Sequence, residues 1–85
     1  MDNQKFIDIC KDIVAKYTAE HIDKTDEKPL YEVFVVWSCK TLQNNKALLS
    51  TTIADGMYYE LTYNGDKNEI YLDAYKKFEN RTISL

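Results

Sequence analysis

Two different periods of apolar and polar positions run along this chain. Over residues 2–22, Phe6, Ile9, Cys10, Ile13, Val14 and Tyr17 recur at i, i+3, i+4, i+7, i+8 and i+11. That spacing is one stripe of an amphipathic helix. Lys5, Asp8, Lys11, Asp12 and Lys16 fall on the other faces, where water solvates them, and Asp12 and Lys16 have the i, i+4 spacing that favours an ion pair. Asp2 or Asn3 precedes the stripe and offers a capping oxygen to backbone N–H groups that lack a helical partner. The polar run D-K-T-D-E-K-P at 23–29 then ends the helix, because proline lacks an N–H and biases the residue before it towards extended geometry. At this length it is a loop within one domain.

From Val33 the period shortens to two. In V-F-V-V-W-S-C-K-T-L, simple alternation puts Val33, Val35, Trp37 and Cys39 on one face and Phe34, Val36, Ser38 and Lys40 on the other. Both faces are apolar at the start of this run, which predicts a central strand covered on both sides, with Trp37 and Cys39 in the core. Gln43-Asn44-Asn45 supplies turn residues. Ala47, Leu49, Thr51 and Ile53 then alternate with Leu48, Ser50 and Thr52; Asp55-Gly56 is a second turn; and Met57, Tyr59, Leu61 and Tyr63 alternate with Tyr58, Glu60 and Thr62. The simplest connection of these strands is an antiparallel meander.

The last segment supports two readings. Asn64-Gly65 is a strong hairpin signal and predicts that 69–75 returns as a fourth strand, with Ile70, Leu72 and Ala74 on one face and Tyr71, Asp73 and Tyr75 on the other. Against it, Asp66 and Glu69 have capping-box spacing, and Ile70, Ala74 and Phe78 fit a helical period. The expected fold is therefore α+β: an N-terminal helix packed on a three- or four-stranded antiparallel meander, or α-β-β-β-α if 69–80 is a helix. All 85 residues are expected to form one domain.

Composition narrows the function classes. The chain is 45% hydrophobic and 29% charged, ordinary for a globular domain. A net charge of -3 with no strongly polarised third lacks the basic footprint of a nucleic-acid binder. Cys10 and Cys39 have no C-x-x-C spacing and sit among apolar neighbours, so reduced thiols in the cytoplasm are expected. The N-terminal residues lack the pattern of a signal peptide, and no apolar run reaches the roughly 18 residues of a membrane span. His21, the lone histidine, reads as a helix-terminal residue near C-terminal carbonyls. No metal-ligand, nucleophile or phosphate-cradle spacing is present, so neither an enzyme nor a cofactor is expected.

Two features stand out as candidate contact residues. Tyr58, Tyr71 and Tyr75 crowd the last third of the chain, and tyrosine buries a large area at interfaces for little entropy loss. A single helix can cover only one face of a four-stranded sheet, which favours a protein partner or a homodimer. Lys76, Lys77 and Arg81 lie beside these aromatics, an arrangement that could grip a nucleic-acid backbone. Glu69, Asp73 and Glu79 dilute that field, which makes nucleic acid the alternative partner.

The runs V-F-V-V-W-S-C-K-T-L-Q-N-N-K-A-L-L-S-T-T, D-G-M-Y-Y-E-L-T-Y-N-G-D-K and I-Y-L-D-A-Y-K-K-F-E-N resemble a family of short uncharacterised proteins encoded by phages and prophages of Gram-positive bacteria. The resemblance spans residues 33 to 85, with a helix of the right kind before it. It implies a small accessory protein of the bacterial host cytoplasm that binds a host protein, in host takeover or counter-defence. It carries over no catalytic residues.

Overall fold

Asp2 starts the first element. Its Oδ1 accepts the Lys5 N–H at 3.0 Å, which caps helix α1, Asn3–His21. In the computed structural model, which describes residues 1–21 and 30–85, α1 is followed by β1 (Val33–Thr41), β2 (Asn44–Thr51), β3 (Met57–Asn64) and β4 (Glu69–Lys76). The polar connection at 23–29 lies outside the described residues. At the other end of α1 the His21 ring N–H donates to the Tyr17 carbonyl at 2.8 Å, and the two rings stack with centroids 4.1 Å apart. His21 thus closes the helix, as its place in the sequence suggests. No helix among the described residues is long and apolar enough to cross a membrane.

The buried edge of α1 is Phe6, Cys10, Val14 and Thr18 at i+4 spacing, with Ile7 beside it; Ile13 and Tyr17 flank the core half-buried. The predicted Asp12–Lys16 ion pair is not among those formed by the described residues. The four strands form one antiparallel sheet in the order β1-β2-β3-β4. The segment from Glu69 is therefore strand, and the helical alternative for it is not realised. Helix α1 lies across β1, β2 and β3. Beneath it Ala47, Leu49, Tyr59, Leu61 and Tyr63 are buried, with Val33, Val35, Met57, Ile70 and Leu72 packed around them. Tyr17 meets Tyr59 edge-on at 5.4 Å. The alternation read for β2, β3 and β4 is the one the sheet uses.

The first strand departs from the expectation in two ways. It is an edge strand, not a central one. Its register also shifts between Val35 and Trp37: Val35 pairs with Leu49, but Trp37 pairs with Leu48 and Cys39 with Lys46. A β-bulge at Val36 adds one residue, and because side chains alternate with period two, one extra residue sends all that follow to the other face. Val33 and Val35 face the helix, whereas Trp37 and Cys39 face away from it. They are not core residues: Trp37 is 41% exposed, and Cys39 is exposed too.

The cause lies in the turn. The β1–β2 connection is the two residues Leu42-Gln43, between the paired Thr41 and Asn44; Asn44 and Asn45 belong to β2 instead of the turn. Counting back from so short a turn places Trp37 opposite Leu48, out of phase with the core positions Ala47 and Leu49. Val33 and Val35, however, gain their burial only in the core phase. The bulge reconciles the two demands.

The turns carry visible strain and clamping. Leu42 has φ 54° and is 85% exposed. It sits where a type II′ hairpin takes glycine, so a β-carbon is held in left-handed geometry for no packing return. The β3–β4 loop spans Gly65 to Asn68, with Asn68 at φ 53°, a four-residue loop in place of a two-residue Asn-Gly turn. A β-carbon on Gly65 would lie 2.4 Å from the Gln43 carbonyl oxygen, so glycine is required there by the approach of the neighbouring turn. That contact is reinforced by the Gly65 N–H donating to Asn44 Oδ1 at 3.1 Å and Gln43 Nε2 donating to Asp66 at 3.1 Å.

Two substitutions check this account by chemical denaturation. Leu42→Asn should raise unfolding stability by about 0.5–1 kcal/mol through relief of left-handed strain. Gly65→Ala should lower it by about 1–3 kcal/mol, because the Gln43 carbonyl must move.

Candidate functional site

The sheet has a second face that no element among the described residues covers. Three cross-strand rows build it, each read directly from the strand register. Phe34, Ser50, Tyr58 and Tyr75 form the first; Trp37, Leu48, Glu60 and Asp73 the second; Cys39, Lys46, Thr62 and Tyr71 the third. Phe34, Trp37, Tyr71 and Tyr75 each remain 41–52% exposed, as does Val36 at the bulge. Soluble proteins seldom leave contiguous apolar surface of this kind open unless it meets a partner.

The polar groups on this face have defined arrangements. Lys46 Nζ reaches Glu60 Oε1 diagonally across β2 and β3 at 3.2 Å. Glu60 also sits directly opposite Asp73 on β4. Like charges in that relation repel one another, and Asp73 has no ion-pair partner among the described residues. The middle of the aromatic face therefore carries an excess of negative charge. The Tyr71 hydroxyl donates to Glu69 Oε2 at 2.6 Å, and that hydrogen bond to a carboxylate raises the phenol's pKa. Ser50, set between Phe34 and Tyr58, donates to the Met57 carbonyl at 2.7 Å and is buried. A hollow of about 180 Å³ lies at the turn end, lined by Cys39, Thr41, Asn44, Asn45, Lys46 and Thr62. It is smaller than the roughly 300 Å³ at which small-molecule sites begin.

Of the residues singled out from the sequence, Tyr58, Tyr71 and Tyr75 are brought together, with Tyr58 and Tyr75 paired across β3 and β4. The cations are not brought to them. Lys76 pairs with Met57 in the row that faces the helix side, opposite to Tyr71 and Tyr75. Lys77 and Arg81 lie beyond β4 in the segment 77–85, which has no regular structure, and Arg81 is paired with Glu79. Sequence reasoning did not assemble Phe34, Trp37 and Leu48 with the tyrosines. The signal that finds them is the two-residue turn at Leu42-Gln43, which fixes Trp37 opposite Leu48.

The two cysteines are separated by the sheet. Cys10 is wholly buried between helix and sheet, and burial pushes its thiol up to about 12. Cys39 lies exposed in the third row of the open face. They form no disulfide with one another. Among the described residues no three His, Cys, Asp or Glu side chains gather closely enough to hold a metal ion.

The model of a family of unknown function (DUF6275) matches residues 7–85, and the chain belongs to that family. None of the curated proteins and none of the solved structures matches it. The matched range takes in the bulged strand, the open face and the whole segment beyond β4.

The two thiols should differ in reactivity. Native protein at pH 8 should lose one thiol to a water-soluble alkylating reagent, at Cys39 by peptide mapping, and a second only after denaturation. Because the Cys10 pKa is raised in the folded state, its contribution to stability is complete below pH 9 and declines as pH rises towards about 12. Alkaline unfolding should therefore coincide with the appearance of the second reactive thiol.

Proposed function

We propose that this member of the family is a non-enzymatic protein-binding module whose docking surface is the open sheet face. The observation that carries this reading is the row structure of that face. Phe34, Trp37, Tyr58 and Tyr75 stand side by side on a rigid sheet, with acidic groups at Glu60 and Asp73. Aromatic anchors bounded by polar residues are the composition of an interface core. The chemistry argues for protein over nucleic acid, because the face's cation Lys46 is paired with Glu60 and Lys76, Lys77 and Arg81 lie elsewhere; a phosphate backbone would meet repulsion at Asp73.

The resemblance of the chain to short proteins of phages and prophages of Gram-positive bacteria supports a role as an accessory factor acting on a host protein in the bacterial cytoplasm. Host takeover or counter-defence is the context in which so small a module needs no chemistry of its own. It works by occupying a surface.

The test is an affinity capture from host lysate, followed by identification of the captured protein and reconstitution of the purified pair. Trp37→Ala and Tyr75→Ala should each weaken the reconstituted complex by tenfold or more, roughly the effect of removing a central aromatic anchor. Lys76→Ala, on the other side of β4, should leave it unchanged. Equal binding by all three variants would overturn the assignment of the face.

A further inference from the structure

The segment 77–85 is the second unsatisfied apolar feature of the molecule. It leaves the end of β4 with the Lys77 N–H donating to the Gly56 carbonyl at 2.7 Å, which continues the β3–β4 pairing and fixes the direction of exit. Beyond that point Phe78 is 98% exposed, and Ile83 and Leu85 are also fully or largely exposed. Every residue of the segment K-F-E-N-R-T-I-S-L is exposed, so it is not folded back onto its own sheet. It leaves the sheet at the end where Phe34, Tyr58 and Tyr75 form the most aromatic row.

We propose that the open face is occupied in the free protein by the 77–85 arm of a second copy of this chain, each copy giving its arm to the other in a two-fold symmetric dimer. This rests on the reading of the open face as the docking surface and names what covers that surface before a host protein is bound. The arm carries what that face lacks. In an extended arm Ile83 and Leu85 share one side with Lys77 and Arg81, giving apolar groups for an aromatic floor and cations for a face whose centre holds Glu60 opposite Asp73, while Phe78 lies on the other side. The exchange is isologous, so a single mode of contact is made twice and the assembly closes at two.

Size favours the exchange over a simple stacking of faces. Eight-residue strands at about 3.3 Å per residue, four of them about 4.8 Å apart, make a face of roughly 500 Å². A stable interface needs roughly 800 Å² from each partner. An extended nine-residue arm is about 30 Å long and about 10 Å across, the thickness of a sheet layer. Laid on the partner's face it covers about 300 Å² and buries about as much of itself, roughly 600 Å² from each copy against the roughly 500 Å² of stacked faces. The same 30 Å exceeds the roughly 14 Å between the axes of the outermost strands, so an arm entering at Tyr75 can cross to Trp37.

Light scattering on the full chain, with Trp37 emission as a second readout, tests the proposal. The expected mass is twice the 10.0 kDa of one chain, with Trp37, the only tryptophan, emitting as a buried indole. The arm variant F78S/I83S/L85S should be monomeric with an unchanged circular dichroism spectrum and a red-shifted Trp37 emission; its substitutions lie outside the folded core. The face variant D73K should also weaken the dimer. Mixing the two variants should restore a heterodimer, because one supplies an intact face and the other an intact arm. A dimer that survives in the arm variant would overturn the proposal in favour of stacked faces. A monomer for the unaltered chain would overturn it as well, while leaving the docking of another protein to be decided by the Trp37→Ala and Tyr75→Ala comparison.

Discussion

A 19-residue helix is about 28 Å long and about 10 Å wide, whereas the four-stranded sheet is roughly 19 Å across and has two faces. That mismatch of cover to surface governs the molecule. The single helix buries Ala47, Leu49, Tyr59, Leu61 and Tyr63 on one side and stops short of β4, where Ile70 and Leu72 stay half-buried. Among the described residues no helix or strand covers the other side. In such a small domain the core alone supplies limited stability, and the aromatic groups on the open face add nothing to it while they stay exposed.

The bulge at Val36 decides what that surface is made of. Without it, Trp37 and Cys39 would join Val33 and Val35 beneath the helix, and the open face would lose its largest side chain. With it, one strand serves the core with its first half and the exterior with its second. A bulge also twists an edge strand and so blunts the tendency of β1 to pair with the edge of another sheet. One inserted residue therefore both furnishes the face and protects the edge beside it.

Most of the frame was legible in the sequence. The helix from Phe6 to Tyr17, the alternation of β2 and β3, and the return of the chain after Asn64-Gly65 are each encoded in local patterns that tertiary packing has no reason to overrule. The three tyrosines fell on one face because β3 and β4 alternate without interruption. Strand β1 was misread because V-F-V-V-W satisfies either phase: every position is apolar, so period two carries no information about which side is inside. The deciding residues were Leu42 and Gln43, neither of which advertises a turn; the neighbouring asparagines do, and they belong to β2. Leu42 in left-handed geometry is a turn that local propensity argues against, imposed by the pairing on either side of it. Lys76 was grouped with Tyr75 because they are adjacent in sequence, yet adjacency in a strand means opposite faces.

The close approach of Gly65 to Gln43 has a mechanical consequence. It joins the tip of the β1–β2 hairpin to the tip of the β3–β4 hairpin through backbone contact and the Asn44 and Asp66 hydrogen bonds. The two hairpins are thus held together twice, along the central β2–β3 ladder and again at their ends. Shear of one hairpin past the other, the softest deformation open to a sheet with one uncovered face, must break that second attachment. The aromatic surface is therefore held at both ends, by this attachment at the hairpin tips and, at the other end, by the chain connection between β2 and β3 with the Ser50–Met57 hydrogen bond beside it.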